Sequence, residues 1–164
     1  MGNRRRSYEA GHRPKFLVVV DDTPECDRAI YFASRRCARI GGQVVMCRVL
    51  DTEDRNQQWL GVADLMRQEA QEEARTVLAQ AAARARAIGG AMPEQVIREG
   101  DVNEQILKLI EEDEDIALLV LAAGTGKEGP GPLVAMLGRN AGAYPIPVAI
   151  VPGHLGDDEL DAMT

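Results

Sequence analysis

The sequence predicts a three-layer α/β sandwich, in which a parallel sheet lies between two layers of helices. Five short segments have the patterns of strands, and four segments between them carry apolar residues at helical spacing. These segments alternate along the chain, which is typical of repeated strand–helix–strand units. With 164 residues, 45% of them apolar, the chain is long enough for one domain. A domain of this size buries about 70% of its unfolded surface.

The first predicted unit joins a buried strand to a helix through an acidic turn. Residues 16–20 form an uninterrupted apolar run, and Asp21 and Asp22 follow it directly. Thr23 is a favourable N-cap, and Pro24 suits the first helical position. Because open parallel sheets bind ligands at the carboxyl ends of their strands, we expect a binding site near this acidic turn.

The second and third units repeat this pattern. Residues 44–50 predict a strand, and the helical pattern of residues 59–88 follows, with Trp59 as an anchor for its start. Residues 94–98 predict a third strand. The D-x-x-E spacing that begins at Asp101 is typical of the start of a helix, so a third helix should follow.

A glycine-rich loop joins the fourth predicted strand to the fourth helix. Residues 116–122 are apolar, and Pro132 stands at the first helical position. Such a loop leaves backbone N–H groups unpaired at the positive end of a helix, where they bind phosphate and other anions. The candidate ligand-binding residues of this loop are Gly124, Gly126, Lys127, Gly129 and Gly131.

The loop departs from the phosphate-binding loop of P-loop NTPases. Gly126-Lys127 matches the end of that motif, but Leu121 stands where its first glycine belongs. Glu128 replaces the hydroxyl residue that would hold magnesium, and its charge would repel phosphate. Glycines also occur where a chain only needs a tight turn. Both interpretations, a phosphate site and a structural turn, remain open at this point.

The two ends of the chain are expected to lie outside the folded domain. Residues 1–14 form a basic arm that contains Arg4-Arg5-Arg6, and we expect this arm to be flexible. Residues 15–152 form the α/β domain, which ends with a fifth apolar strand over residues 148–151. Residues 153–164 form an acidic C-terminal tail, which we expect to be loose.

Composition argues against several functions. The net charge of −7 argues against general nucleic-acid binding, and no run reaches the roughly 18 apolar residues of a membrane span. Three cysteines without C-x-x-C spacing indicate reduced thiols in a cytoplasm. His12 and His154 lack metal-ligand spacing, and Ser7 and Ser34 lack the setting of a catalytic serine. We therefore predict no catalytic and no metal-binding residues.

Taken in their order, these features resemble the universal stress protein family across the α/β domain. The resemblance rests on the strand that ends in Asp21, on Ile97-Arg98-Glu99-Gly100-Asp101, on the glycine loop and on the closing Pro147-Val148-Ala149-Ile150-Val151. It implies a Rossmann- or flavodoxin-like sheet of order 3-2-1-4-5, of the adenine nucleotide alpha hydrolase-like type. It also implies a homodimer in which the last strands of two subunits, Val148 to Val151, pair with each other. An apolar edge strand needs such cover.

The resemblance further implies a nucleotide site. In nucleotide-binding members, adenine and ribose are held by the ends of the first two strands, which correspond here to Asp21, Asp22, Thr23 and Val44. The phosphates of those members sit on G-x-x-G, followed by nine residues and G-[ST]. Gly126-x-x-Gly129 matches the first half of that motif.

The second half of the motif is missing. Gly138 follows after eight residues rather than nine, and Arg139 stands in place of serine or threonine. The distance from the fourth strand to Pro147 is nearly that of the family, so we expect Gly138 to lie inside the fourth helix.

Three hypotheses about function follow. The leading one is a cytoplasmic, dimeric stress-response protein that acts as a sensor or adaptor, with ATP and magnesium as a candidate but non-essential ligand. The second is an enzyme, a slow magnesium-dependent ATPase or a nucleotidyl transferase that uses the same pocket, for which the sequence supplies no positioned general base. The third is a partner-binding module that takes no nucleotide. We expect no enzymatic turnover.

Overall fold

The structure, a computed structural model, describes residues 4–51 and 60–164, without the side chains of residues 60–62. Five parallel strands form one sheet of order β3-β2-β1-β4-β5, which confirms the predicted fold class. The strands are β1 (Lys15–Val19), β2 (Gln43–Leu50), β3 (Glu94–Glu99), β4 (Ile116–Ala123) and β5 (Val148–Pro152). Trp59, the predicted helix anchor, lies outside the described residues.

Helices cover both faces of the sheet. They are α1 (Cys26–Ile40), α2 (Leu60–Gly89), α3 (Val102–Glu112), α4 (Pro132–Asn140) and α5 (Asp157–Met163), with a 3₁₀ turn at Ala141–Ala143. Alternate residues of β1 face opposite sides, so Val18 packs with α1 and α2 while Leu17 packs with α3 and α4. Within residues 4–51 and 60–164, no helix combines the length and apolarity that a membrane crossing requires.

Two local predictions are confirmed at helix ends, those for α3 and α4. Gly41 ends α1 with a φ of +70°, and its N–H donates to the carbonyl oxygen of Cys37. Asp101 caps α3, because its Oδ2 accepts a hydrogen bond of 3.0 Å from the Glu104 N–H. Pro132 is the first residue of α4 after the N-cap Gly131, and Gly138 lies inside this helix as expected.

The predicted start of α1 is wrong. The N-cap is Glu25, whose side chain makes no capping hydrogen bond, and not Thr23. The Thr23 N–H and hydroxyl both donate to Oδ1 of Asp21, at 3.1 Å and 2.5 Å. Asp21 thereby holds Thr23 in a local turn, and the helix begins only after this turn and Pro24.

The acidic C-terminal segment is ordered, contrary to our expectation of a loose tail. Leu160 of α5 is 1% exposed and belongs to the core on the α1 side of the sheet. The Tyr31 hydroxyl donates to Oδ1 of Asp161 over 2.7 Å, and the guanidinium of Arg28 lies 2.9 Å from the carboxylate of Asp157. The first turn of α5 is acidic, which suits the positive end of a helix.

The described part of the N-terminal arm also packs on the domain. Arg5 Nη1 donates to the carbonyl oxygens of Ile110 and Asp113, at 2.6 Å and 2.9 Å, near the C-terminal end of α3. The Arg6 N–H donates to the Glu114 carbonyl over 3.0 Å. A cation at this end of a helix also complements its negative dipole. The sequence showed the charges of this arm but not their distant acceptors.

Candidate functional site at the carboxyl edge of the sheet

The carboxyl ends of the central strands meet at one edge of the sheet. Val19 of β1 lies beside Cys47 of β2, and the Val20 N–H donates to the Cys47 carbonyl over 2.8 Å. On the other side of β1, Val18 lies beside Val120 of β4. The segments that follow β1, β2 and β4 therefore surround one region of the surface, as the fold class predicts for a ligand site.

A cleft of about 550 Å³ opens between β1, β2 and one face of α4, and we call it the β1–α4 cleft. Its apolar lining includes Val19, Val49, Val102, Leu133 and Met136. Its polar lining includes Asp21, Arg48, Asp51, Asp101, Asn103, Arg139 and Asn140. An apolar surface with a few polar groups at the rim is typical of small-molecule sites.

A second cavity of about 630 Å³ lies over the glycine loop. Thr23, Pro24 and Glu25 line one side of it, and residues 124–126 and 128–132 line most of the rest. We call it the loop cavity. It lies beside the loop that the sequence singled out as a phosphate site, whereas the β1–α4 cleft lies along the face of α4.

The glycine loop uses part of its own hydrogen-bonding capacity. The Gly124 N–H donates to the Pro130 carbonyl over 3.0 Å, and the Gly129 N–H donates to the Gly126 carbonyl over 3.2 Å. Gly129 and Gly131 have φ values of +95° and +105°, which glycine adopts without strain. Within the described residues, the amides of Thr125 and Lys127 donate to no other backbone group. The loop is therefore a closed turn with a few free donors rather than a continuous cradle.

Two carboxylates lie against this loop. A Cβ atom added to Gly124 would stand 2.9 Å from Oε1 of Glu25, and one added to Gly131 would stand 3.4 Å from the same oxygen. A Cβ atom added to Gly126 would stand 2.6 Å from Oε2 of Glu128. The Glu25 carboxylate thus lies close to Gly131, the N-cap of α4, where anions are stabilised. No local pattern around Glu25 predicts that its side chain reaches the loop.

The three predicted site residues of the acidic turn lie in different surroundings. Asp21 lines the β1–α4 cleft while its Oδ1 accepts two hydrogen bonds from Thr23. Thr23 lines the loop cavity. Asp22 is turned toward Arg48, whose Nη2 lies 3.0 Å and 2.9 Å from its two carboxylate oxygens. Arg48 also donates to the Val20 carbonyl over 3.1 Å, so both of these charged groups have partners.

Val44 does not belong to this site. It pairs with Phe16 near the start of β2, it is buried, and it lies at the other end of the strand from Asp21. Val49 occupies the place that we assigned to Val44, because it lies near the carboxyl end of β2 and lines the β1–α4 cleft. The apolar run of residues 44–50 contains four valines and leucines of similar character, so composition alone could not select the correct one.

Lys127 is exposed and is not among the residues that line either cavity. Arg139 lines the β1–α4 cleft from the last turn of α4. Within the described residues, Arg139 forms no hydrogen bond or salt bridge with another side chain.

Asn103, which sequence reasoning missed, is oriented by the Tyr144 hydroxyl, which donates to its Oδ1 over 2.8 Å. This contact assigns the amide nitrogen of Asn103 as a donor that remains available at the cleft.

Burial raises the pKa values of two side chains beside the site, Tyr144 and Cys26. Burial raises the pKa of Tyr144, and the nearby negative charge of Asp101 adds to the effect, so its hydroxyl stays protonated and donates to Asn103. Burial also raises the pKa of Cys26 to about 11, so its thiol is uncharged at neutral pH. Cys26 therefore acts as a small apolar residue of the core. Across residues 4–51 and 60–164, no three His, Cys, Asp or Glu side chains are grouped as metal ligands.

Comparison with known proteins gives one consistent family. A profile of the universal stress protein family matches residues 12–152. No curated protein matches the chain in sequence. The universal stress protein UspA from Lactobacillus plantarum superimposes with a TM-score of 0.71 at 17% identity, over 91% of this chain and 99% of that protein.

Two further solved structures carry nucleotides. A universal stress protein in complex with cAMP superimposes with a TM-score of 0.63 at 19% identity, over 85% of this chain and 97% of that one. The universal stress protein from Archaeoglobus fulgidus in complex with dAMP superimposes with a TM-score of 0.60 at 20% identity, over 84% and 96%. At these identities the structural likeness establishes the fold.

Proposed function

This chain belongs to the universal stress protein family, and from that premise we propose that it binds an adenine nucleotide in the β1–α4 cleft. We propose further that it acts as a dimeric sensor or adaptor in a stress response, with residues 15–152 as the binding domain. The observation that carries the ligand proposal is the cleft itself, which lies at the carboxyl edge of the sheet.

The dimensions and chemistry of the cleft support this proposal. A volume of about 550 Å³ is within the range of sites that enclose a small organic ligand. Val49 and Leu133 offer apolar surface to a base, while Asp21 offers carboxylate oxygens to ribose hydroxyls. Structures of the same fold hold cAMP and dAMP, which are adenine nucleotides.

Loss of the Asn103 amide should weaken nucleotide binding. The Asn103→Ala variant removes one oriented hydrogen-bond donor from the cleft. A single neutral hydrogen bond contributes about 0.5–1.5 kcal/mol. We therefore expect a three- to tenfold increase in the dissociation constant for AMP, measured by isothermal titration calorimetry, roughly the change that 1 kcal/mol represents.

Gln80→Ala is the matched control, because Gln80 is an exposed amide on α2. It should leave the affinity unchanged. If AMP, cAMP and ATP all give no heat and no thermal shift at millimolar concentration, the nucleotide proposal fails. Repeating the titration with and without magnesium, and measuring phosphate release from ATP, tests the magnesium and ATPase hypotheses with the same protein.

The dimer proposal rests on the exposed edge of the sheet. β5 is an edge strand, and its Ile150 side chain is 44% exposed. An apolar edge strand favours pairing with another strand, and we propose a second copy of this chain as its partner.

Charge at this edge should separate the two subunits. We expect the unchanged protein to have twice the 17.8 kDa mass of the chain in light scattering after size exclusion, and Ile150→Lys to have the single mass. Met92→Lys is the control, because Met92 is 51% exposed but immediately precedes the opposite edge strand, β3. A dimer that survives Ile150→Lys, or that Met92→Lys also dissociates, would contradict β5 pairing.

We also propose a cytoplasmic location. Cys26, Cys37 and Cys47 are all buried and unpaired, which is typical of reducing compartments. Cell fractionation with an antibody against the chain tests this, and recovery in a membrane or extracellular fraction would contradict it.

A further inference from the structure

We propose that the β1–α4 cleft selects adenine nucleotides that carry a single phosphate, and that Arg139 rather than the glycine loop holds that phosphate. This inference rests on the nucleotide binding proposed above and names its ligand class. Three observations carry it, namely the carboxylates on the loop, the lack of another available cation in the described lining of the cleft, and the length of α4.

The glycine loop already has negative charge where further phosphates would have to sit. Oε1 of Glu25 lies close to both Gly124 and Gly131, and Oε2 of Glu128 lies close to Gly126. A phosphate on this loop would meet these oxygens at short range, where like charges repel strongly. The Glu25 carboxylate also lies at the N-terminal end of α4, so the helix dipole already has an anion from the chain itself.

Among the residues that the structure describes, the cations around the site leave one candidate for the ligand phosphate. Arg48 lines the cleft, but its guanidinium is paired with Asp22 and bonded to the Val20 carbonyl. Lys127 is exposed and does not line the cleft. Arg139 does line it, and its five N–H donors have no side-chain acceptor within the described residues. Arginine binds phosphate well because its planar fork can donate two parallel hydrogen bonds.

The length of α4 separates Arg139 from the glycine loop. Arg139 lies eight residues after Gly131 along the helix, which corresponds to a rise of about 12 Å. A phosphate at Arg139 therefore lies at the far end of α4 from Glu25. A triphosphate would extend either toward the carboxylates of the cleft or into solvent, so its extra charges would gain little.

The balance of charge in the cleft also favours a ligand with a single phosphate. Asp21, Asp51 and Asp101 line it beside the two arginines. With Arg48 already paired with Asp22, Arg139 shares the cleft with the carboxylates of Asp21 and Asp101, for which no described lysine or arginine forms a salt bridge. Such a surface accepts the hydroxyl and amino hydrogens of adenosine but disfavours a ligand with several negative charges.

The experiment compares adenosine, AMP and ATP by isothermal titration calorimetry, without magnesium and at fixed ionic strength. We expect AMP to bind about tenfold more tightly than adenosine, because of one charge-assisted contact with Arg139. ATP should bind at least about fivefold more weakly than AMP because of repulsion from the carboxylates. Arg139→Ala should bring AMP to the affinity of adenosine, whereas Arg39→Ala, which removes an exposed arginine of α1, should change nothing.

Glu25→Gln provides an independent arm, because it keeps the shape of the side chain and removes its charge. It should leave the affinities for adenosine, AMP and ATP unchanged, because Glu25 lies at the far end of α4 from Arg139 and does not line the cleft, while a thermal melt confirms that the variant is folded. Stronger ATP binding by this variant would place the phosphates on the glycine loop and overturn the inference. Equal or tighter binding of ATP than of AMP, or an Arg139→Ala variant that keeps the AMP preference, overturns this inference and leaves the nucleotide proposal standing. Absence of binding by all three compounds overturns the nucleotide proposal itself.

Discussion

Leu160→Ala should lower the melting temperature by about 5–15 °C, for a loss of about 2–5 kcal/mol in the free energy of unfolding. Leu160 is 1% exposed and lies in the core between α5 and the α1 side of the sheet. Its truncation leaves a cavity among groups that α1 and the sheet hold in place, so the site cannot fully collapse.

Met163→Ala is the control for this prediction. It lies on the same short helix, but its side chain is 56% exposed, so its truncation removes little buried surface. Differential scanning calorimetry of the two variants separates packing from helix propensity, since both place alanine in α5. A Leu160→Ala melting temperature as high as that of Met163→Ala would mean that α5 does not pack on α1 in solution.

Gly153→Ala should destabilise the protein by about 1–3 kcal/mol, the usual effect of forcing an extra methyl group into a packed site. The added Cβ atom would stand 2.6 Å from the Ala123 carbonyl oxygen and 3.0 Å from Cβ of Glu25. The first of these neighbours is backbone, and the Gly153 N–H donates to that same carbonyl over 2.8 Å. Relief of the collision therefore requires the ends of β4 and β5 to move apart.

Gly156→Ala is the matched control, because its Cβ atom would meet only Oε1 of Glu159, at 3.8 Å. Gly156 has a φ of −83°, which any residue adopts. Chemical denaturation of both variants measures the difference, and equal stabilities would show that the Gly153 contact relaxes without cost.

The elements of the fold were predictable where the signal is local. Four of the five strands correspond to apolar runs, whereas β3 has only Val96 and Ile97 among polar residues, and the start of α4 follows from Gly131 and Pro132, which have defined positions at helix N-termini. The order of the strands came from the resemblance to the family rather than from periodicity. The structure confirms this order, since its strands lie in the sequence β3-β2-β1-β4-β5.

The predictions were wrong where a distant or competing contact determines the local structure. Thr23 is a good capping residue in isolation, but Asp21 takes both of its donors and the helix begins later. Leu160 is one apolar residue in an acidic stretch, so the segment looked loose although that residue fills a place in the core. The contact of Glu25 with the glycine loop joins residues about a hundred positions apart, and no local pattern in the sequence announces it.

The burial of all three cysteines affects which side chains of the protein react first with an oxidant. Burial raises the pKa of Cys37 and of Cys47 to about 12, so their thiols, like that of Cys26, are scarcely ionised and react slowly with peroxide. Methionine sulfoxide should form first, at the exposed thioethers of Met66, Met92 and Met163. We therefore expect mild oxidation to modify these exposed methionines before it modifies any of the three cysteines.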